Sequence, residues 1–201
     1  MSRVRTVALV VSALACLSWP RPEPPSAAAP RRQRAAHAAQ AASPTVVAVR
    51  ARIARYATAL TPREQSDLAA VIVRESARHG VPVDLVIAVM HVESRFHAFA
   101  RSDKGALGLM QVMPATGAEI AAGAGVDWHG PRTLFDPEQN VRLGVAYLAW
   151  LERRFDDLPA VLAAYNAGPG AVASRLRQGR PLPAQYARDV LTIYGARRPG
   201  S

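Results

Sequence analysis

Residues 83–92 constrain the chain more than any other stretch. They read VDLVIAVMHV, an apolar run broken only by Asp84 and His91, and they lead directly into Glu93. Gly80 and Pro82 precede the run and read as the stop of one helix and the start of the next. The run is long enough for a helix, and apolarity on every side makes that helix buried rather than superficial. Glu93 then falls at the C-terminal end of a core helix, with Ser94 and Arg95 leaving it.

That position has chemical consequences. Apolar surroundings strip water from a carboxylate and favour its protonated form. The helix C-terminus adds partial negative charge, which disfavours an anion further. Both effects raise the pKa of Glu93, and an acid protonated near neutral pH is equipped to donate a proton to a leaving group. The simpler alternative is a Glu that pairs with Arg95 or another Arg on the surface.

The rest of the chain reads as helices. Residues 44–60 form an accessory helix, with Val46, Val49, Ile53, Tyr56 and Leu60 at helical spacing. Thr61-Pro62-Arg63-Glu64 is a capping box with Pro at the first helical position, opening a helix to about His79. Residues 96–108 read as loop. Pro114 opens a helix to about Ala122, and a Gly/Pro loop follows over 123–134. Asp136-Pro137 caps a helix whose buried face is Val141, Val145, Leu148, Leu151 and Phe155. Short helices over 158–167, 171–178 and 184–194 complete the chain. No segment shows sustained strand alternation, so the expected fold is all-α, with about seven helices in a domain over 61–201.

Charge is unevenly distributed. The formal net charge is +10, but residues 1–60 hold nine Arg and one Glu, leaving the rest close to balanced. A nucleic-acid-binding domain would carry its basic face on the folded unit, so that class is not expected. Residues 1–19 read as a signal peptide or N-terminal anchor: Arg3 and Arg5, then an apolar core too short to span a bilayer comfortably. Small residues at Ala13 and Ala15 offer a cleavage site, Ala27 to Ala29 a second, and Cys16 a lipidation alternative. Residues 20–43 are rich in Pro, Ala and Arg and read as a linker. An exported, envelope-located protein is expected, acting as a monomer.

Acid–base sites often pair two carboxylates, and the chain offers Glu93 no obvious companion. Asp84 lies about 13 Å back along the helix axis. Asp103 is in the following loop and within possible reach; Glu119, Asp127 and Asp136 have simpler capping or solvent roles. The five His show no metal-ligand spacing, and no phosphate-binding loop is present, so neither a metal nor a cofactor is expected.

Several blocks in order resemble the soluble lytic transglycosylase (SLT) catalytic domain of the lysozyme-like superfamily. They are Glu93-Ser94 with Phe96, Ser102, then Gly105-Ala106-Leu107-Gly108-Leu109-Met110-Gln111, and Met113-Pro114-Ala115-Thr116. Asp136-Pro137, Asn140, Gly144 and Tyr147-Leu148 follow, and Ala164-Tyr165-Asn166-Ala167-Gly168-Pro169-Gly170 closes the set. The chain departs from the pattern at Pro183-Ala184-Gln185-Tyr186, which lacks the acidic–Thr pair before the tyrosine of the last helix.

The resemblance implies a glycan cleft and cleavage of the MurNAc–GlcNAc β-1,4 bond of peptidoglycan, giving 1,6-anhydro-MurNAc without a second carboxylate. It implies Glu93 as general acid and base, and Ser102, Met110, Gln111, Tyr165 and Asn166 as substrate-binding residues. Ser102 would touch the acetamido region or orient Glu93, and the Tyr165 hydroxyl would bond the Glu93 carboxyl. Ser94, Gly105, Gly108 and Gly168 would support them, the glycines at 105 and 108 by letting backbone approach the ligand. The partner implied is the peptidoglycan glycan strand. Two rivals stay open: a lysozyme-like hydrolase on the same scaffold, and a low-turnover wall-remodelling protein attached to a secretion or conjugation apparatus.

Overall fold

The computed structural model describes residues 43–55 and 60–195; the leader, most of the linker and Tyr56 lie outside them. The described residues form eight α-helices, one short 3-10 helix and no strands. Among the described residues two isolated antiparallel bridges occur, Arg101 with Leu107 and Leu107 with Val112.

Helix α1 (Pro44–Ile53) is capped by Ser43, whose Oγ accepts from Val46 N at 3.3 Å. It is shorter than its periodicity suggested, ending at Ile53, and it buries Val46, Val49 and Ile53 against α2. An Arg52–Asp84 ion pair ties it to the first turn of α3. Helix α2 (Pro62–His79) starts with the expected capping box: Glu64 N donates to Thr61 Oγ1, and Thr61 N donates to Glu64 Oε2 at 2.7 Å. It ends at Gly80, whose φ of +74° is left-handed.

Helix α3 (Val83–Ser94) is the buried rod. Leu85, Val86, Ile87, Ala88, Val89 and Met90 are all at or below 1% exposure, as a helix with no polar face requires. Helices α4 (Pro114–Ala124), α5 (Pro137–Glu152), α6 (Leu158–Ala167), α7 (Pro169–Arg177) and α8 (Gln185–Gly195) complete the domain. The 3-10 helix Pro131–Phe135 occupies what reads as an irregular Gly/Pro loop in the sequence. Helix α5 packs on α2, where buried Glu75 has Arg74, Arg78, His79 and Arg142 within 4.0 Å. Helix α8 packs on α3, and this brings the chain's last helix to the end of the rod where Glu93 sits. No helix among the described residues is long and apolar enough to cross a membrane.

Candidate active site

Two left-handed residues turn the chain as it leaves α3: Arg95 (φ 51°) and Phe96 (φ 66°). Each such non-glycine conformation costs on the order of 1 kcal/mol and persists only where its surroundings enforce it. Here Phe96 is fully buried, and Ser94 is wired into the loop. Ser94 Oγ donates to Leu109 O (2.7 Å), lies 3.2 Å from Met90 O, and accepts from Phe96 N at 3.1 Å. The supporting role expected of Ser94 is therefore structural. It clamps the end of the Glu93 helix to the loop over 107–111.

Asn140, fully buried on α5, holds that same loop from the other side. Its Oδ1 accepts from Met110 N at 2.7 Å, and its Nδ2 donates to Leu107 O (2.9 Å) and Leu134 O (2.8 Å). Gly108 (φ +77°) lies so close that a Cβ there would stand 2.2 Å from Leu134 O and 2.3 Å from Asn140 Nδ2. The expected ligand approach at Gly108 is thus corrected: its missing side chain makes room for Asn140, not for substrate. Gly105 (φ +86°) has open space around it and lines neither cavity, so the turn alone demands glycine there.

Met110 is also corrected. Its side chain is fully buried rather than in the cleft, and it fills the space left by Gly144, where a Cβ would come within 2.4 Å of its sulfur. Its contribution to the site is its backbone: Met110 O accepts from the Tyr165 hydroxyl at 2.8 Å. That bond overturns the expectation for Tyr165, whose hydroxyl does not reach Glu93. The tyrosine on Glu93 is Tyr186, from the first turn of α8, donating to Glu93 Oε1 at 2.6 Å. Tyr165 lies behind it with its ring parallel, centroids 6.4 Å apart and planes within 6°. Tyr147 packs on Tyr165, and Trp150 stacks on Tyr147.

Glu93 is half-buried, with its pKa raised to about 7. Loss of hydration is the larger cause, and the Tyr186 hydrogen bond pulls partly the other way. The tyrosines respond in kind. Burial first, then the nearby Glu93 charge, pushes Tyr165 and Tyr186 well above the ordinary phenol range. Both are therefore hydroxyl donors throughout the physiological range.

Two cavities open along this seam and share Gln111. The first, about 620 Å³, is lined by Glu93 and by the loop from Arg95 to Ser102. The second, about 290 Å³, is lined by Met113, Thr116, Tyr147, Tyr165, Asn166 and Gly168 among others. Gln111 sits in a left-handed conformation (φ 48°), and its Nε2 donates to Ala100 O and Gly108 O, bracing the seam. Ser102 lines the first cavity. It accepts from Ala106 N at 3.0 Å through its hydroxyl and makes no hydrogen bond to Glu93, so orientation of Glu93 falls to Tyr186. Asn166 is exposed in the second cavity, and Gly168 (φ +88°) ends α6 beside it, its N–H returned to Ala164 O.

Glu93 is the only carboxylate in the lining of either cavity. Asp136 is spent capping α5, and Asp84 is paired with Arg52. No cluster of three or more His, Cys, Asp or Glu among the described residues could hold a metal ion. The arrangement can therefore deliver and retrieve one proton beside a groove, with tyrosine donors and no second acid.

Sequence reasoning missed Tyr186 because the motif departs from the family pattern just before it. The amphipathic spacing of Tyr186, Val190 and Tyr194 on the last helix was the available signal. Asn140 stood in a recognised block without a role.

The sequence model of the Transglycosylase SLT domain matches residues 70–186, ending on Tyr186. Membrane-bound lytic murein transglycosylase C of Edwardsiella ictaluri is 42% identical over 110 residues, covering 49% of this chain and 30% of that protein. Membrane-bound lytic murein transglycosylase F of Desulfosudis oleivorans is 39% identical over 109 residues, covering 51% of this chain and 22% of that protein. This chain thus spans less than a third of the length of these relatives. Among solved structures, an inactive mutant of lytic transglycosylase Slt from Pseudomonas aeruginosa matches with a TM-score of 0.57 and 35% identity, over 63% of this chain and 24% of that one. The 70 kDa soluble lytic transglycosylase of Escherichia coli matches with a TM-score of 0.57 and 26% identity, over 80% of this chain and 28% of that one. With the match extending over more than half its length, the chain belongs to the Transglycosylase SLT domain family.

Proposed function

We propose that this protein is a lytic transglycosylase that cleaves the MurNAc–GlcNAc β-1,4 bond of peptidoglycan. The observation that carries the reading is Glu93 itself: held by Tyr186, raised to about 7, and the only acid in the lining of the cleft. The names of its relatives, lytic murein transglycosylases, support the same substrate.

In the reaction, the Glu93 carboxyl gives its proton to the glycosidic oxygen as the C1–O bond breaks. The muramyl N-acetyl oxygen supports the cationic centre, in the place a second carboxylate would take. The 6-hydroxyl oxygen of the same sugar then bonds to C1, and its proton passes to the Glu93 carboxylate, restoring the acid. Atoms balance without water, and the product is a 1,6-anhydro end. Tyr186 keeps the carboxyl aimed through both transfers. The relatives' description as membrane-bound supports action in the cell envelope.

Digestion of purified sacculi with product mass analysis tests this. Anhydro ends, absent from a Glu93→Gln digest, are expected. Ends heavier by one water would instead make the protein a hydrolase, and unchanged lysis by Glu93→Gln would remove Glu93 from the mechanism.

A further inference from the structure

The near-balance of charge over the domain hides a division along the chain. Residues 61–157 hold ten Lys and Arg against thirteen Asp and Glu, whereas residues 158–201 hold six Arg against one Asp. Among the described residues those arginines are Arg175 and Arg177 at the end of α7, Arg180 in the turn after it, and Arg188 on α8. None of the four has an ion pair among the described residues, and none lines either cavity. The one nearby acid, Asp189, accepts from Gln185 Nε2 at 2.8 Å. Like charges gathered without counter-charges repel one another and raise the local potential, which is the footprint of an anionic partner.

The end of α7 projects from the domain. Val172 is fully buried and α7 packs on α6, yet every residue from Arg175 to Pro181 is exposed. The turn is held in place by its own bonds. Gln178 N donates to Ser174 O and Arg175 O, Gly179 N to Leu176 O, and Arg180 N to Arg175 O. Arg175 Nη1 donates to Pro181 O at 3.0 Å, and Gly179 takes a left-handed φ of +61°. Leu182 turns back onto the core, while Leu176, amid the arginines, stays 49% exposed. Phe99 and Met113, also large and exposed, line the cleft cavities; Leu176 lines neither. The tip offers no exposed ring for a base to stack on, since Tyr186 and Tyr194 pack against the core.

We propose that the tip of α7, Arg175 to Arg180 with Leu176 among them, docks the folded domain on an anionic phospholipid bilayer. The guanidiniums pair with headgroup phosphates, and Leu176 enters the apolar boundary beneath them. Charge complementarity sets the sign of the partner. The exposed leucine chooses among partners of that sign: a dissolved polyanion offers charge alone, whereas a bilayer offers charge with an apolar layer under it. A projecting tip without a cavity also suits a broad surface better than a small anion. The contact belongs to the folded domain itself, separate from any attachment through the N-terminal residues, and it draws on no group in the cleft.

The test uses the full chain carrying Cys16→Ser and Gln178→Cys, with an environment-sensitive fluorophore coupled at position 178. The signal then comes from this tip and not from the leader. On vesicles of equimolar phosphatidylcholine and phosphatidylglycerol the label should shift to the blue; on phosphatidylcholine alone it should not. Adding Arg177→Gln and Arg180→Gln should lower the lipid affinity that the label reports about 25-fold, roughly fivefold for each arginine. Leu176→Ser should lower it about fivefold through lost apolar contact. Lys104→Gln with Arg132→Gln, removing the same charge from exposed positions elsewhere, should leave it unchanged. An unshifted label on the anionic vesicles, an equal shift on phosphatidylcholine, or an affinity that survives loss of Arg177 and Arg180 would overturn the proposal. Equal loss in the Lys104 and Arg132 control would do the same. Indifference to Leu176→Ser, or soluble polyphosphate shifting the label as far as vesicles do, would make the partner a dissolved polyanion and overturn it as well. Thermal melting of the Arg177 and Arg180 variant should match the parent chain; a large drop would make these arginines structural and the surface reading wrong.

Discussion

The two walls of the cleft are built by opposite means. The helical wall, from α5, α6 and α8, is a stack of tyrosines: Tyr186, Tyr165 and Tyr147, backed by Trp150. Its polar atoms are committed inward, Tyr186 to Glu93 and Tyr165 to Met110 O. The loop wall has no helix or sheet to hold it. It depends on two left-handed residues, a buried phenylalanine and backbone bonds, and it leaves its charges facing out. The contrast separates two tasks. The wall that positions the acid has its hydroxyls bonded within the protein, while the loop wall carries Arg95 and Arg101 without an ion pair among the described residues.

That contrast can be broken most severely at the part both walls share. Asn140→Ala leaves Met110 N without its acceptor and takes a donor from Leu107 O, which keeps Val112 N, and from Leu134 O, at a cost of about 2–4 kcal/mol by the usual penalty for buried groups that lose their partners. Denaturant unfolding should record the loss, and both cavities should fail together; a mild effect would mean the walls stand independently.

The seam itself gives the next largest effect. Glu93 has a folded pKa of about 7 against 4.5 for the ordinary group, so the native state holds its proton where the unfolded chain releases it. Between these values stability falls as pH rises, then levels off above the folded pKa. Glu93→Gln removes this dependence. It should be more stable than wild type by roughly 2–3 kcal/mol at pH 8, with the difference shrinking toward pH 5, read by thermal melting at several pH values.

On the helical wall, Tyr186→Phe should lower kcat by about tenfold, the worth of one positioning hydrogen bond. Because that bond lowers the Glu93 pKa, its loss should also move the alkaline limb of the pH–rate profile upward. A drop in rate with no shift in the limb would make Tyr186 a packing residue only. The smallest effect belongs to the loop wall: Phe99→Ala should change folding stability by no more than about 0.5 kcal/mol, as for other exposed positions. A cost comparable to a core truncation would mean that this wall is packed as firmly as its opposite.

The fold was largely legible because helical signals are local. The apolar run of α3, the Thr61 capping box and the Asp136 cap each fix a helix from a few adjacent residues, and each stands where the spacing puts it. Glu93 was legible for the same reason: its position at the end of a buried rod already implies lost hydration. The roles of Tyr165 and Tyr186 were not, because they depend on how α8 docks on α3 across about ninety residues of chain, and no periodicity carries that information. Met110 and Gly108 were read as ligand contacts, yet they answer to Gly144 and Asn140 in the interior. A motif marks residues that must be present without saying whether the reason is chemistry or packing.

The account depends above all on Glu93 keeping its proton at neutral pH beside the cleft. Carbon-13 NMR titration of the side-chain carboxyl in the full chain, assigned by its loss in Glu93→Gln, measures this directly. A midpoint near 7 is expected. A midpoint near the ordinary 4.5 would mean that the carboxylate is already ionised at the working pH, and the proton on which the proposed cleavage turns would not be there to give.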